Sequence, residues 1–115
     1  MRPTRTRLQQ ELTRRFRPEA VRGLEVRLRL HMPDADPFDL IVGHGTLAVT
    51  DDISPAPDVT FFFDDLHGAW DIMTGRANAI EAFMRGQFRA DGYLMLAFWL
   101  MEVFGSTSLP PTPND

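Results

Sequence analysis

The clearest pattern in the chain is the strict alternation from Leu24 to Met32. Leu24, Val26, Leu28, Leu30 and Met32 fall on one side, and Glu25, Arg27, Arg29 and His31 on the other. A period of two predicts a half-buried strand. Phe38 to Val42 and Thr46 to Thr50 flank Gly43-His44-Gly45, which predicts a hairpin. Val59 to Phe63 is a further strand. Its three consecutive phenylalanines put rings on both faces, so both faces are expected to be covered at least in part. Gln87 to Asp91 alternates again, with Phe88 and Ala90 on one side. Elsewhere the period lengthens. Leu8, Leu12 and Phe16 recur every four residues, predicting a helix over Leu8 to Arg17 that Pro18 ends, after a frayed start over Arg2 to Arg7. Leu66, Ala69, Trp70 and Met73 form one helical face behind Asp64 as N-cap, with Gly75 as the stop. Asn78 and Glu81 make a capping box for the next helix, whose apolar side is Ile80, Phe83 and Met84 and whose stop is Gly86. Pro33 to Pro37 and Asp51 to Asp58 are read as connections.

After the hinge Gly92, Tyr93 to Phe104 is almost unbroken apolar sequence, with Glu102 its one charge. Twelve residues fall short of the roughly 20 that cross a bilayer. A helix there is apolar all round, and a sheet can cover only one stripe of it. The other side calls for more protein, a membrane surface or a bound apolar molecule. The predicted order is helix, four strands, two helices, strand, helix. It implies an α+β fold: a curved, mostly antiparallel five-stranded sheet with helices packed on one face. Residues 1–105 are expected to form one domain, followed by a disordered, proline-rich tail over residues 106–115.

Composition narrows the chemistry. The chain has 115 residues and no cysteine, which excludes disulfides and thiol catalysis. Its start is basic without an apolar leader segment, and no stretch reaches membrane-spanning length, so a cytoplasmic protein is expected. All 12 basic residues are arginine. Nine of them precede Leu30, against three acids, whereas residues 30–75 hold nine aspartates and no arginine. A basic start can attract an anionic membrane surface or fold against the chain's own acidic middle; a nucleic-acid partner is not expected. His31, His44 and His67 lack ligand-spaced partners and read as surface residues. Asp51-Asp52 and Asp64-Asp65 are adjacent pairs whose side chains diverge. Gly43-His44-Gly45 lacks the lysine and helix of a phosphate loop. No activated nucleophile is evident. The expectation is no catalytic residue, no metal, no cofactor and no enzyme activity.

One resemblance adds to this reading. Asp58-Val59-Thr60 opens a strand, a helix follows to Gly75, and then come Ala82-Phe83-Met84-Arg85-Gly86, the basic strand residue Arg89 and Gly92 before an apolar helix. This succession resembles the sterol carrier protein 2 (SCP-2) family of lipid-binding domains. Pro18 to Met32 looks like the family's first helix exit and first strand. Gln87 stands where the family usually has lysine, and Tyr93 where it often has aspartate. The resemblance implies a five-stranded sheet and helices enclosing an apolar tunnel for sterols, fatty acyl chains or isoprenoid lipids such as ubiquinone precursors, with no chemistry of its own.

The residues expected to line such a tunnel are Phe61, Phe63, Trp70, Met73, Phe83, Met84, Phe88, Leu94, Met95, Phe98, Trp99 and Met101. Methionines suit it because they are flexible and polarizable. Burying roughly 14 methylenes yields about 11 kcal/mol gross. Association costs of about 4–15 kcal/mol offset much of this. The alternative is an accessory protein that uses the apolar C-terminal helix to bind a partner, a homodimer or a membrane surface, for example in a lipid or ubiquinone biosynthesis assembly.

Overall fold

The computed structural model describes residues 4–18, 23–53 and 55–93. Its elements are α1 (Arg5–Arg15), β1 (Val26–Met32), β2 (Ala35–Gly43), β3 (Thr46–Thr50), β4 (Val59–Phe63), α2 (Leu66–Met73), α3 (Ala79–Met84) and β5 (Phe88–Gly92). The strands form one open sheet in the order β3-β2-β1-β4-β5. β1 and β4 run parallel, and every other neighbouring pair is antiparallel. The expected mostly antiparallel α+β sheet is therefore present. The expected helix within Tyr93 to Phe104, beyond Tyr93 itself, and the expected tail over residues 106–115 lie outside the described residues.

Alternation decides which face is buried. Leu28 lies between Leu40 and Val59, and Leu30 between Phe38 and Phe61, so apolar side chains line up across three strands. Phe88 extends the row opposite Phe63. α1 covers this face with Leu8 and Leu12, α2 with Leu66, Ala69, Ile72 and Met73, and α3 with Ala79 and Ala82. On the opposite face, Phe62 is half-buried beneath Arg89, whose guanidinium lies 5.0 Å from the ring centre, and beside His31.

The parallel pairing of β1 with β4 forces the chain to cross the sheet. β3 sits at one edge and β4 on the far side of β1, so the connection between them, described at residues 51–53 and 55–58, traverses β2 and β1 on the polar face. Two arginines hold it there. Arg27 Nε donates to Asp39 Oδ2 at 2.5 Å, and Arg29 Nε donates to Asp39 Oδ1 at 2.8 Å. Their outer nitrogens donate to the crossover: Arg27 to the Asp52 carbonyl, Arg29 to those of Ile53 and Pro55. Asp39 is fully buried by this arrangement. Its hydrogen bond raises the pKa of Arg29 still further. The Asp58 carboxylate then accepts the Arg27 N–H at 2.8 Å, and the Asp58 N–H returns to the Arg27 carbonyl at 2.8 Å.

Five local expectations are corrected. α1 starts at Arg5, because Thr4 caps the Arg7 N–H at 3.2 Å and Arg5 is tied to the Asp36 and Pro37 carbonyls and to Asp51. The same helix stops at Arg15, leaving Phe16 extended as its C-cap, as suits a chain about to meet Pro18. The expected loop at residues 33–37 is a two-residue turn, Pro33-Asp34, with β2 beginning at Ala35. The pairing slips between Leu30 and Met32, which accommodates Pro37 inside the strand. The N-cap of α2 is Asp65, which accepts the Gly68 N–H at 2.6 Å. The turn residue Asp34 takes the Leu66 N–H at 2.8 Å and so sets the helix start one residue later. Finally, α3 buries Ala79 and Ala82 and exposes Ile80 and Met84, because small side chains let the helix approach closely.

Several arginines of the basic start are engaged within the chain. Arg5 pairs with Asp51 at 2.5 Å, Arg14 and Arg15 with Glu11, and Arg27 and Arg29 with Asp39. Hydrogen bonds from Arg5 and then Gln9 hold the Asp51 carboxyl below its ordinary range, and Glu11 is lowered chiefly by its bond from Arg14.

Replacing Asp39 with alanine leaves two guanidiniums without their shared carboxylate in a partly buried site. A loss of about 3 kcal/mol is expected, measured by urea denaturation; a change under about 0.5 kcal/mol would match an ordinary surface site instead. The lowered carboxyl pKa values also set a pH dependence. Their stabilisation is fully present above the unfolded carboxylate range near about pH 4 and is lost as pH falls through the folded values. The acid limb of a stability–pH curve should accordingly be shallower in Asp51→Asn than in the wild type.

Candidate functional site

The aromatic end of the core is built by β4, β5 and α3. Register places Phe63 opposite Phe88 and Phe61 opposite Ala90 on the covered face. Phe88 stacks on Phe63 with ring centres 5.6 Å apart and 27° between planes, and meets Phe61 edge-on at 5.9 Å. Phe83 comes down from α3 onto Phe88 at 5.6 Å, and Phe61 meets Phe63 at 6.1 Å. Such pairs add about 0.5–1.5 kcal/mol each beyond their burial.

Local sequence puts Phe83 there. Asn78 caps α3 by accepting the Glu81 N–H at 2.8 Å. At the other end the Gly86 N–H reaches the Phe83 carbonyl at 3.0 Å and the Gln87 N–H reaches the Ala82 carbonyl at 2.9 Å. This is a Schellman ending, and it needs the positive φ of Gly86, 77°. The chain reverses within this turn, so Phe88 enters β5 directly beneath Phe83. At the far end of β5, Gly92 has φ 118°, and a Cβ there would overlap the Asp58 carbonyl oxygen. Only glycine allows β5 to close against β4 at this point before the apolar run begins.

Most of the expected lining residues in the described part meet in this core. Phe61, Phe63, Met73 and Phe88 are buried in it, and Trp70 and Phe83 are half-buried against it. Met84 does not join them and is 80% exposed. Leu94, Met95, Phe98, Trp99 and Met101 lie outside the described residues. Ile72, Ala79 and Ala82 also wall this core and were not among the expected lining residues. The alanine pair was visible in the sequence at a spacing of three, but alanine carries little apolar signal. Ile80, on α3, is 44% exposed, and Tyr93, past the far end of β5, is 67% exposed.

The site offers apolar and aromatic contact with almost no polar chemistry. Thr74 is the nearby buried hydroxyl of α2, and it is spent on the Trp70 carbonyl at 2.6 Å. Among the described residues no buried side-chain nitrogen or oxygen lacks a partner, and no group of three His, Asp or Glu residues could hold a metal ion. His67 and Asp71 lie 3.5 Å apart one turn along α2, with His67 exposed. Among the described residues no helix is long and apolar enough to cross a membrane.

No family model and no curated protein matches the chain. Solved structures do. The double mutant of the sec-alkyl sulfatase PisA1 and the stereoselective inverting sec-alkylsulfatase Pisa1 from Pseudomonas sp. superpose with TM-scores of 0.76 and 0.70 at 17% and 18% identity. The matches cover 89% and 81% of this chain but only 16% and 15% of those enzymes. Palmitated SCP2L2 from Aedes aegypti gives a TM-score of 0.65 at 23% identity, covering 84% of this chain and 90% of that one. The UbiJ-SCP2 ubiquinone synthesis protein gives 0.66 at 13% identity, covering 97% and 100%. The chain has the sterol carrier protein 2 fold, as the resemblance implied.

Proposed function

We propose that this protein binds and carries a hydrophobic lipid, a sterol, a fatty acyl chain or an isoprenoid quinone precursor, and performs no reaction on it. The observation that carries this reading is the Phe61-Phe63-Phe83-Phe88 cluster, whose member Phe88 opens the strand that ends at Gly92, where the apolar run of the sequence begins. Aromatic surface without free hydrogen-bonding groups attracts an apolar chain by burial alone, at about 0.8 kcal/mol per methylene. The fold is shared with a palmitated SCP2L2 structure, which supports an acyl ligand. The proposed pocket joins Phe61, Phe63, Trp70, Met73, Phe83 and Phe88 to Leu94, Met95, Phe98, Trp99 and Met101, with Met84 at its rim.

A second reading rests on the exposed apolar side chains Ile80, Met84 and Tyr93. Here the protein is an accessory subunit whose apolar side meets a partner, a reading that the likeness to the UbiJ-SCP2 ubiquinone synthesis protein supports. Mass spectrometry of lipid co-purified with the protein separates the two. Under the first reading lipid is recovered, and Trp99→Glu abolishes uptake of a fluorescent acyl probe while the circular dichroism spectrum is retained. Recovery of no lipid, with no uptake of acyl or sterol probes by the wild type, would sink it in favour of the second.

A further inference from the structure

Among the described residues, the two edge strands of the sheet are unlike. β5 carries Arg89 and Asp91. β3 is Thr46-Leu47-Ala48-Val49-Thr50, without a charge or a proline, and it pairs with β2 in unbroken register along its length. Edge strands ordinarily carry a charge, a proline or a bulge that stops a further strand from pairing. β3 has none of these. The two-residue turn His44-Gly45, with φ of 54° and 74°, makes Gly43 and Thr46 the closing pair of the hairpin. Ladder alternation then directs the N–H and C=O groups of Leu47 and Val49 away from β2, toward the open edge.

The strand is also a palindrome in residue kind: threonine, branched apolar, alanine, branched apolar, threonine. We propose that β3 is a docking edge for a second copy of this chain, β3 against β3 in antiparallel pairing, with a two-fold axis through Ala48. In that register Leu47 of one copy faces Val49 of the other on the apolar face. Threonine meets threonine and alanine meets alanine on the opposite face, which continues each sheet without a polar–apolar mismatch.

The flank of the edge fits the same occupant. Thr6, Gln9, Gln10 and Thr13 form an uncharged stripe along α1, and with Val49 and Asp51 they line an open cleft of about 370 Å³. The charged residues of α1 that follow Arg5, namely Arg7, Glu11, Arg14 and Arg15, are not among the residues lining it. In a two-fold contact many charges near the axis meet their own kind, so a neutral border is what self-association requires. The one charge present, Asp51, is already held by Arg5 at 2.5 Å and Gln9 at 3.2 Å. A foreign strand would find the same open backbone groups, but the palindrome and the neutral stripe favour a copy.

Sedimentation over a concentration series tests this. The mass should rise from 13.1 kDa toward twice that value. Ala48 is exposed, so Ala48→Lys and Ala48→Glu should each fold, place like charges across the axis and remain monomeric, while an equimolar mixture of the two recovers the dimer. In the wild type, amide exchange at Leu47 and Val49 should slow as concentration rises, a readout that needs no substitution. A wild type monomeric at every concentration, a dimer untouched by Ala48→Lys, or a mixture that stays monomeric would each overturn the proposal. Acyl-probe uptake by Ala48→Lys should equal that of the wild type, so this inference and the lipid-carrying reading stand or fall separately.

Discussion

The buried carboxylate of Asp39, shared between Arg27 and Arg29, is the interaction on which the architecture turns. A meander of β1, β2 and β3 leaves the chain at one edge of the sheet, whereas β4 must lie on the other side of β1. The connection has to lie flat across a polar face and bring its carbonyls with it. The two guanidiniums serve both needs, with inner nitrogens on the carboxylate and outer nitrogens on the crossover backbone. Buried ion pairs of this kind often add little net stability over an apolar replacement of the same shape. Their consequence here is geometric, because an apolar substitute has no donors for three carbonyls.

The aromatic half of the core follows from where that crossover delivers β4. Once β4 pairs with β1, Phe61 falls beside Leu30 and the apolar row extends from the aliphatic half of the sheet into an aromatic half. The aliphatic half is roofed by α1, through Leu8 and Leu12. Over the aromatic half α3 is a helix of six residues that buries two alanines and turns Ile80 and Met84 outward. The larger side chains of α3 thus lie where water meets them. Apolar surface in such a position is at its least favourable in water.

Much of this was legible in the chain alone. Alternation located β1 and β5 to within about two residues, since a period of two records a sheet with one wet face, and β-rich runs located β3 and β4. Phe61, Phe63 and Phe88 are among the expected lining residues, but three consecutive phenylalanines leave open which rings of β4 face inward. Helix phase was harder to read. With Asp64 and Asp65 chemically equivalent as caps, the choice fell to Asp34, which is distant in sequence and takes the Leu66 N–H. In α3 the pattern favoured Ile80, Phe83 and Met84, whereas close approach to the sheet selected Ala79 and Ala82 because small residues let the backbone come near.

By itself, then, the sequence determined the strands, the turn glycines, the capping of α3 and the one-sided apolar character of the sheet. These depend on neighbours a few residues apart, and local backbone sterics and burial decide them. Only the tertiary structure decided the parallel joining of β1 to β4, the burial of Asp39 between Arg27 and Arg29, and the meeting of Phe83 with Phe88 beneath α3. Each brings together parts of different elements. Its energy comes from removing charge or aromatic surface from water at a place that exists only once the sheet has assembled.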